Sequence, residues 1–340
     1  HKLGATSGRC FDNLDFAVAI VNRAKKVGAA TVLAEVNNYI NSTTIRIECG
    51  LLMYNTNINN EFRFSNGVRL VNTSSLNDHN LLEFLSKERI STGGVNSSFL
   101  VTDYETPKQF FSSITGSQSP DFTKLEIKSE LIQILDDTRL ILALSRNPDY
   151  GIPVVASFEI IPDNLEIFND GIGYSPFPEP RNSIGPTIIE LEMNRANELL
   201  DLFNAMNDES KDKIRIAMKR LNDSKIDSNW PNKCINLRIC LENLFHISSD
   251  NFISKSISER MPLHTSISKT RVKNIYSFLS SAVHSGRIPE HDNITVQEII
   301  TAVQNVIIQF IRNGDYPNWI SSPKKSKWQI FCKCIKELFK

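Results

Sequence analysis

The chain has no excess of charge of either sign and no long apolar segment. Lysine plus arginine and aspartate plus glutamate each number 38 among 340 residues, so the formal net charge is zero. A protein without a global positive field can bind nucleic acid only through a local basic patch. No apolar run reaches the roughly 18 residues needed to cross a bilayer, and we recognise no secretory leader. Because the chain starts at His1 rather than methionine, the sequence does not define its natural N-terminus.

Cysteine is sparse and scattered, which argues against a zinc site. The six cysteines include one C-x-C pair at 332–334, but no C-x-x-C pair and no second pair at ligand spacing. Cys234 and Cys240 lie in a helical pattern, where a free buried thiol is ordinary. The adjacent glycines at 93–94 are not followed by a phosphate-binding motif. We therefore expect a reduced cytoplasmic protein without a metal or another cofactor.

The first two hundred residues contain a helical segment followed by strand patterns. Residues 11–40 have apolar positions at near-helical spacing. Residues 61–71 alternate on both sides of Asn66-Gly67, the dipeptide most typical of a tight β-hairpin. Further strands are predicted at 44–54, 98–103, 122–127, 139–144, 154–161 and 187–191. We therefore predict an α+β, mostly β, N-terminal domain over residues 1–207.

From about residue 194 the apolar period becomes helical. Four one-sided stripes follow, at 214–221, 237–245, 272–283 and 296–311. Such stripes bury against one another, so we predict an all-α antiparallel helical bundle over residues 208–316. Residues 317–340 carry six lysines against one acid, together with aromatic and aliphatic residues. We interpret this last segment as a lysine-rich amphipathic tail.

Four segments of the helical region resemble a known family. They are residues 214–221, 234–245, 257–260 and 284–286. Their order and spacing resemble a HEPN domain of the ApeA-like type, a helical module found behind a β-rich domain in many bacterial proteins. The LExLF pattern at 241–245 is its most recognisable piece. The resemblance implies RNA engagement in antiviral or stress defence, a homodimer formed through the bundle, and an N-terminal domain that senses or regulates.

His284 is the catalytic residue that this resemblance implies. Family members that cut RNA carry an arginine, four to six further residues, and then the histidine. The imidazole moves a proton and the guanidinium grips the scissile phosphate. Here the three permitted positions hold Leu279, Phe278 and Ser277, none of which is basic. The implied enzyme is therefore at most a degenerate metal-independent endoribonuclease, with weak or absent cleavage.

The helix that carries His284 has a polar face. Lys273, Ser280 and His284 fall on it, and Arg287 follows the glycine stop at Gly286. We predict that Lys273, Ser280 and Arg287 contact RNA, and Arg287 is the first candidate for a displaced cation. The alternative is that His284 only stabilises the helix end, where a cationic side chain interacts well with the helix dipole.

Glu242 lies beside an apolar stripe, and a buried carboxylate needs a partner. We predict a structural ion pair between Glu242 and Arg260. For the protein as a whole, a second hypothesis stays open beside RNA engagement. The bundle could be a non-catalytic scaffold that dimerises or binds a protein partner in a defence or toxin–antitoxin complex, and the missing arginine favours that mechanism.

Overall fold

The computed structural model describes residues 2–3, 9–10, 13–54, 56–72, 97–107, 110–111, 123–160, 173–176, 186–247, 250–286, 294–317 and 319. The chain divides into two compact units. The first comprises His1–Asp201 and Lys225–Ser228, and the second comprises Leu202–Ser224 and Asn229–Lys340. The boundaries suggested by the sequence, after residues 207 and 316, stay predictions about folding domains.

Helices and strands are both present, so the fold class is α+β. The helices of the described residues are α1 Asn13–Val27, α2 Ala29–Asn41, α3 Thr123–Ser145, α4 Glu190–Ala205, α5 Asp208–Ile226, α6 Trp230–Phe245, α7 Ile253–Arg260, α8 Lys269–Ser285 and α9 Val296–Asn313. The strands are β1 Lys2–Leu3, β2 Arg9–Cys10, β3 Thr44–Met53, β4 Phe62–Arg63, β5 Arg69–Asn72, β6 Ser98–Pro107, β7 Phe110–Phe111, β8 Val154–Ile160 and β9 Gly173–Pro176. They form a small sheet in the order β2-β1-β7 and a larger one in the order β4-β5-β6-β3-β8-β9.

The larger sheet of the first unit is built around β3. This strand pairs antiparallel with β6 along its whole length and with β8 on its other side. The predicted hairpin at 61–71 is confirmed: β4 and β5 pair antiparallel, and the Phe64 N–H donates to the Val68 carbonyl at 2.8 Å. Gly67 has φ 87°, a left-handed conformation that glycine adopts without strain.

Apolar side chains lie on both faces of this sheet because successive residues of a strand point to opposite sides. Ile47 of β3 packs with Val32 and Tyr39 of α2 on one face. Leu52 of the same strand packs with Phe99 and other buried residues on the opposite face. The predicted helical segment at 11–40 is thus two helices, α1 and α2, of which α2 covers part of the sheet.

Three of the predicted strands are wrong. The segments 122–127 and 139–144 belong to the long helix α3, apart from residue 122, which lies outside the described residues. The segment 187–191 leads into α4, and Ile188 makes only an isolated bridge. The continuous apolar run from Leu140 to Leu144 is fully buried, and such a run has no polar face from which a helical period can be read. The first unit therefore contains much more helix than predicted.

The second unit is helical, as predicted from residue 208 onwards. Helix α6 packs against α7, α8 and α9, and α7 also packs against α8. The apolar stripes supply its core, which includes the buried residues Leu237, Leu244, Ile275, Leu279, Val303 and Ile307. The starts of α6, α8 and α9 have side-chain caps, since Asn229, Ser268 and Thr295 each accept a hydrogen bond from a backbone N–H of the first turn.

The expected antiparallel order does not describe α8 and α9. Arg271 lies in the first turn of α8 and Glu298 in the first turn of α9, and their side chains form a two-point ion pair at 2.7 and 3.1 Å. The starts of the two helices are therefore neighbours. A consecutive antiparallel pair would instead place the start of one helix beside the end of the other.

Candidate functional site

His284 lies in the last turn of α8 and is exposed. Gly286 ends the helix in a left-handed conformation with φ 64°, and its N–H donates to the Ala282 carbonyl at 3.0 Å. Glycine at this position is a common helix stop because a side chain there is strained. The prediction that His284 stands at a helix end near solvent is confirmed.

The positions where an RNA-cleaving family member would carry its arginine differ sharply in burial. Phe278 is 2% exposed and Leu279 is 0% exposed, so both belong to the core of the second unit. Ser277 is exposed on the outer surface of α8. A guanidinium at either core position would be a buried, unpaired charge, which folds only at high cost. The helical register therefore leaves Ser277 as the only one of the three positions that could hold a cation.

The exposed face of α8 carries a polar strip, which we call the α8 strip, formed by Lys273, Ser277, Ser280 and His284. Lys273, Ser277 and His284 are exposed and Ser280 is partly exposed. The strip offers one cation, two hydroxyl groups and an imidazole, all of which can bond to phosphate or ribose oxygens. It has no guanidinium to hold a phosphate in one orientation. Arg287, the predicted displaced cation, lies outside the described residues.

The predicted ion pair between Glu242 and Arg260 is wrong. Arg238, one turn earlier on α6, places its Nε 2.8 Å from Glu242 Oε1, and the Tyr276 hydroxyl donates to the same oxygen at 2.7 Å. Arg238 also lies over the Tyr276 ring, 5.5 Å from its centroid. Burial and the hydrogen bond to Glu242 raise the pKa of Tyr276 to about 12. Glu242 thus has its cation on its own helix, and the hydrogen bond from Tyr276 joins it to α8.

Arg260 binds Asp250 and the C-terminal end of α6. Its Nη1 and Nη2 donate to the Asp250 carboxylate at 2.6 and 3.1 Å, and Nη1 also donates to the Phe245 carbonyl at 2.6 Å. The Tyr316 hydroxyl and the Trp319 Nε1 donate to the neighbouring Leu244 carbonyl at 2.6 and 3.0 Å. The last carbonyls of a helix have no partner within it, so these donors complete the C-terminus of α6. Sequence reasoning missed Asp250, because nothing in the helical pattern marks a loop carboxylate.

A second polar cluster, also missed from the sequence, lies on one face of the larger sheet. Glu48 of β3 and Asp103 of β6 are directly opposite in register, and Arg69 of β5 reaches both, at 2.6 and 3.7 Å. Arg46 forms a further ion pair with Asp103. Burial raises the pKa of Glu48. For Asp103 burial acts in the same direction, but the hydrogen bond from Arg46 and the charges of Arg46 and Arg69 oppose it, and the pKa is lowered. The two arginines offset two carboxylates that would otherwise repel across the strands.

Metal ligation and membrane insertion find no support in the parts of the chain that the structure describes. Those parts hold no group of three histidine, cysteine, aspartate or glutamate side chains arranged to bind a metal ion. Within the same residues no helix is both long and apolar enough to cross a bilayer. The thiols of Cys49, Cys234 and Cys240 are buried.

Comparison with known proteins yields no relative. No family model matches the chain, and no curated protein or solved structure matches it either.

Proposed function

We propose that the second unit is a HEPN-like module that engages RNA through the α8 strip, with weak or lost ribonuclease activity. The observation that carries the proposal is the exposed His284 at a capped helix end, on the same helix face as Lys273 and Ser277. An imidazole and an ammonium group about three turns apart can bind two phosphates of a single strand that are separated by further nucleotides. The proposed setting is bacterial antiviral or stress defence in the cytoplasm, with the first unit acting as a sensor or regulator.

The burial of Phe278 and Leu279 favours a second candidate function. Because a core leucine and a core phenylalanine occupy two of the three arginine positions, His284 has no phosphate clamp beside it on its own helix. A bundle of this kind can serve as a dimerisation or partner-binding scaffold without any chemistry. RNA binding separates the two candidates, since a scaffold that only binds protein does not need it.

The test is binding of a labelled, unpaired RNA oligonucleotide to the full chain, measured by fluorescence anisotropy at several salt concentrations. We expect affinity to fall steeply with salt, because each bound phosphate releases counterions. Lys273→Glu should weaken binding and reduce the logarithmic salt slope by about 0.7 for each single-strand phosphate that the variant no longer binds.

The matched control is Lys219→Glu, which makes the same charge change at an exposed position of α5 in the same unit. We expect this variant to bind as the wild type does. Equal weakening of RNA binding in both variants would show that the loss comes from the change in net charge and not from the α8 strip. No binding by the wild type at low salt would contradict the RNA proposal and leave the scaffold function.

A further inference from the structure

The chain that follows α9 is fastened to the second unit by a short strap, which we define as residues 314–317 and 319. Asp315 accepts hydrogen bonds from the Ser210 hydroxyl at 2.7 Å and from Asn207 Nδ2 at 3.2 Å, both at the start of α5. Tyr316 is buried, and its hydroxyl donates to a carbonyl at the end of α6. The strap is therefore bound at two places before it reaches Trp319.

Trp319 forms the third attachment of the strap. Its indole Nε1 donates to the Leu244 carbonyl at 3.0 Å, and the Arg260 guanidinium lies 5.3 Å from the ring centroid. The Phe245 ring lies 6.2 Å away, measured between centroids. The lysine-rich tail continues the chain directly from Trp319. These contacts therefore fix the point at which the tail begins.

The imidazole of His264 joins Trp319 to the core of the second unit. Its centroid lies 5.5 Å from that of the Trp319 ring and 4.9 Å from that of the Phe310 ring, with interplanar angles of 74° and 89°. Phe310 belongs to α9 and is fully buried. The His264 N–H donates to the carbonyl of the buried Met261 at 3.0 Å, which holds the backbone in place. The strap is thus the mobile partner in these ring contacts, because the others belong to the core.

This environment favours a neutral imidazole. Nδ1 of His264 is enclosed and has no hydrogen-bond partner in the part of the chain that the structure describes. In the imidazolium both ring nitrogens carry hydrogen, so Nδ1–H would be a buried donor without an acceptor on a partly desolvated charge. Burial accordingly lowers the pKa of His264 below its ordinary value of 6.5. Protonation therefore weakens the contact between His264 and Trp319.

The charged groups that the structure describes around this cluster give His264 no counter-ion. Asp250 binds Arg260 at two points, and Asp315 is bound by the start of α5. Because Arg260 lies over the Trp319 ring, a protonated His264 would place a second cation beside that ring. Other charged or titratable side chains on the adjoining ends of α5 to α9 and on the strap include Lys213, His246, Glu259, Lys269, Arg312 and Tyr316. Within the described residues none of them forms a hydrogen bond or an ion pair with His264.

We propose that His264 is an acid-sensitive latch: its neutral ring holds Trp319, and with it the start of the lysine-rich tail, on the second unit, and protonation releases Trp319. The inference goes beyond the proposed function and does not depend on RNA binding. A released imidazole has its ordinary pKa, so below about 6.5 the open latch binds a proton that the closed latch does not. Opening should therefore become more favourable as the pH falls, by up to about tenfold per pH unit.

Hydrogen exchange of the Trp319 indole N–H tests the latch in the full chain, isotope-labelled at tryptophan and followed by NMR between about pH 8 and about pH 5. The protection factor is the intrinsic exchange rate divided by the measured rate at the same pH, and it reports how rarely the bond to Leu244 opens. We expect this factor to be constant above about pH 6.5 and to fall below it by up to about tenfold per pH unit. The signal is assigned by its loss in Trp319→Phe.

Two substitutions remove the titrating group. His264→Phe keeps an aromatic ring and His264→Gln keeps a polar side chain, and neither can take up a proton in this pH range. In each variant the protection factor of Trp319 should no longer change across about pH 6.5. The matched control is His246→Gln, which removes a partly buried histidine at the end of α6 in the same unit. This control should keep the pH dependence of the wild type.

Several results would overturn the latch. They are a protection factor of Trp319 that does not change with pH in the wild type, a change that persists in both His264 variants, and a change that is lost in His246→Gln. An equal protection factor at the backbone N–H of the core residue Leu279 would show that only global unfolding exposes the indole. NMR titration of the His264 ring in the wild type does not depend on how the variants fold, and a pKa at or above the ordinary 6.5 would also contradict the latch.

Discussion

The register of α8 makes a paired prediction about where an arginine can be placed. Ser277→Arg puts a guanidinium on the exposed face of the helix, seven residues before His284. Seven residues are about two turns, so the new side chain and the imidazole lie on the same face. Leu279→Arg has an equally permitted spacing in the family pattern but replaces a side chain that is 0% exposed. The first variant tests the chemistry of His284 and the second tests the fold.

The expected magnitudes differ widely between these variants. A substitution at an exposed helix position usually changes the free energy of unfolding by less than about 0.5 kcal/mol, which we expect for Ser277→Arg. At Leu279 the loss of the leucine costs about 2–5 kcal/mol. An uncompensated buried charge adds about 3–5 kcal/mol. Their sum is comparable with the whole stability of an ordinary domain, about 5–15 kcal/mol. Leu279→Arg should therefore unfold the second unit.

Circular dichroism melts and an assay of RNA cleavage by the purified chain on a denaturing gel together check the two variants. A folded Ser277→Arg should cut RNA on the order of 100-fold faster than the wild type, the usual effect of one positioned charged donor. Adding His284→Ala to it should remove that gain. A Leu279→Arg variant that melts like the wild type would refute the buried position of residue 279. A folded Ser277→Arg without any gain would refute the idea that a missing guanidinium limits His284.

Two further predictions concern assembly and pH. Light scattering of the full chain at micromolar concentration should give twice the 38.5 kDa chain mass, as a two-fold pair of bundles requires, and a monomer would contradict it. Lys225 is buried beside the Ala143 carbonyl at 3.2 Å, and burial, together with the charge of Arg146, lowers its pKa from 10.5 to about 7. Between these values the unfolded chain binds a proton that the folded one does not, so stability should rise with pH above 7 by up to about 1.4 kcal/mol per unit. Urea unfolding of Lys225→Met should show no such increase of the unfolding free energy with pH. An unchanged increase would mean that another group causes it.

Local sequence patterns predicted the elements that have one buried and one exposed face, or a characteristic turn. The hairpin at Asn66-Gly67 and the helix α9 were readable because a turn dipeptide or a stripe of 3.6-residue period marks each of them. Helix α3 could not be predicted from the sequence, because its buried run from Leu140 to Leu144 has no polar face and resembles the sequence of a buried strand. The alternation of apolar and polar residues shows which face of an element meets the core and which meets solvent. An element that is buried on all sides therefore has no such alternation in its sequence.

Side-chain partners were the least predictable feature. Glu242 was expected to need a cation, which is what it has, but the choice between Arg238 and Arg260 depends on rotamers and on competing acids. Asp250 decides that competition by binding Arg260 at two points from a loop. Loop geometry of this kind leaves no periodic trace.

Packing alone does not explain the absence of an arginine before His284. Phe278 and Leu279 are core residues, so the fold excludes a cation at those two positions. Ser277 is exposed, so an arginine there would cost the fold little. The fold would therefore allow an arginine at position 277 if rapid cleavage by His284 required one. Its serine therefore favours a role for the α8 strip in binding RNA or a partner rather than in cutting.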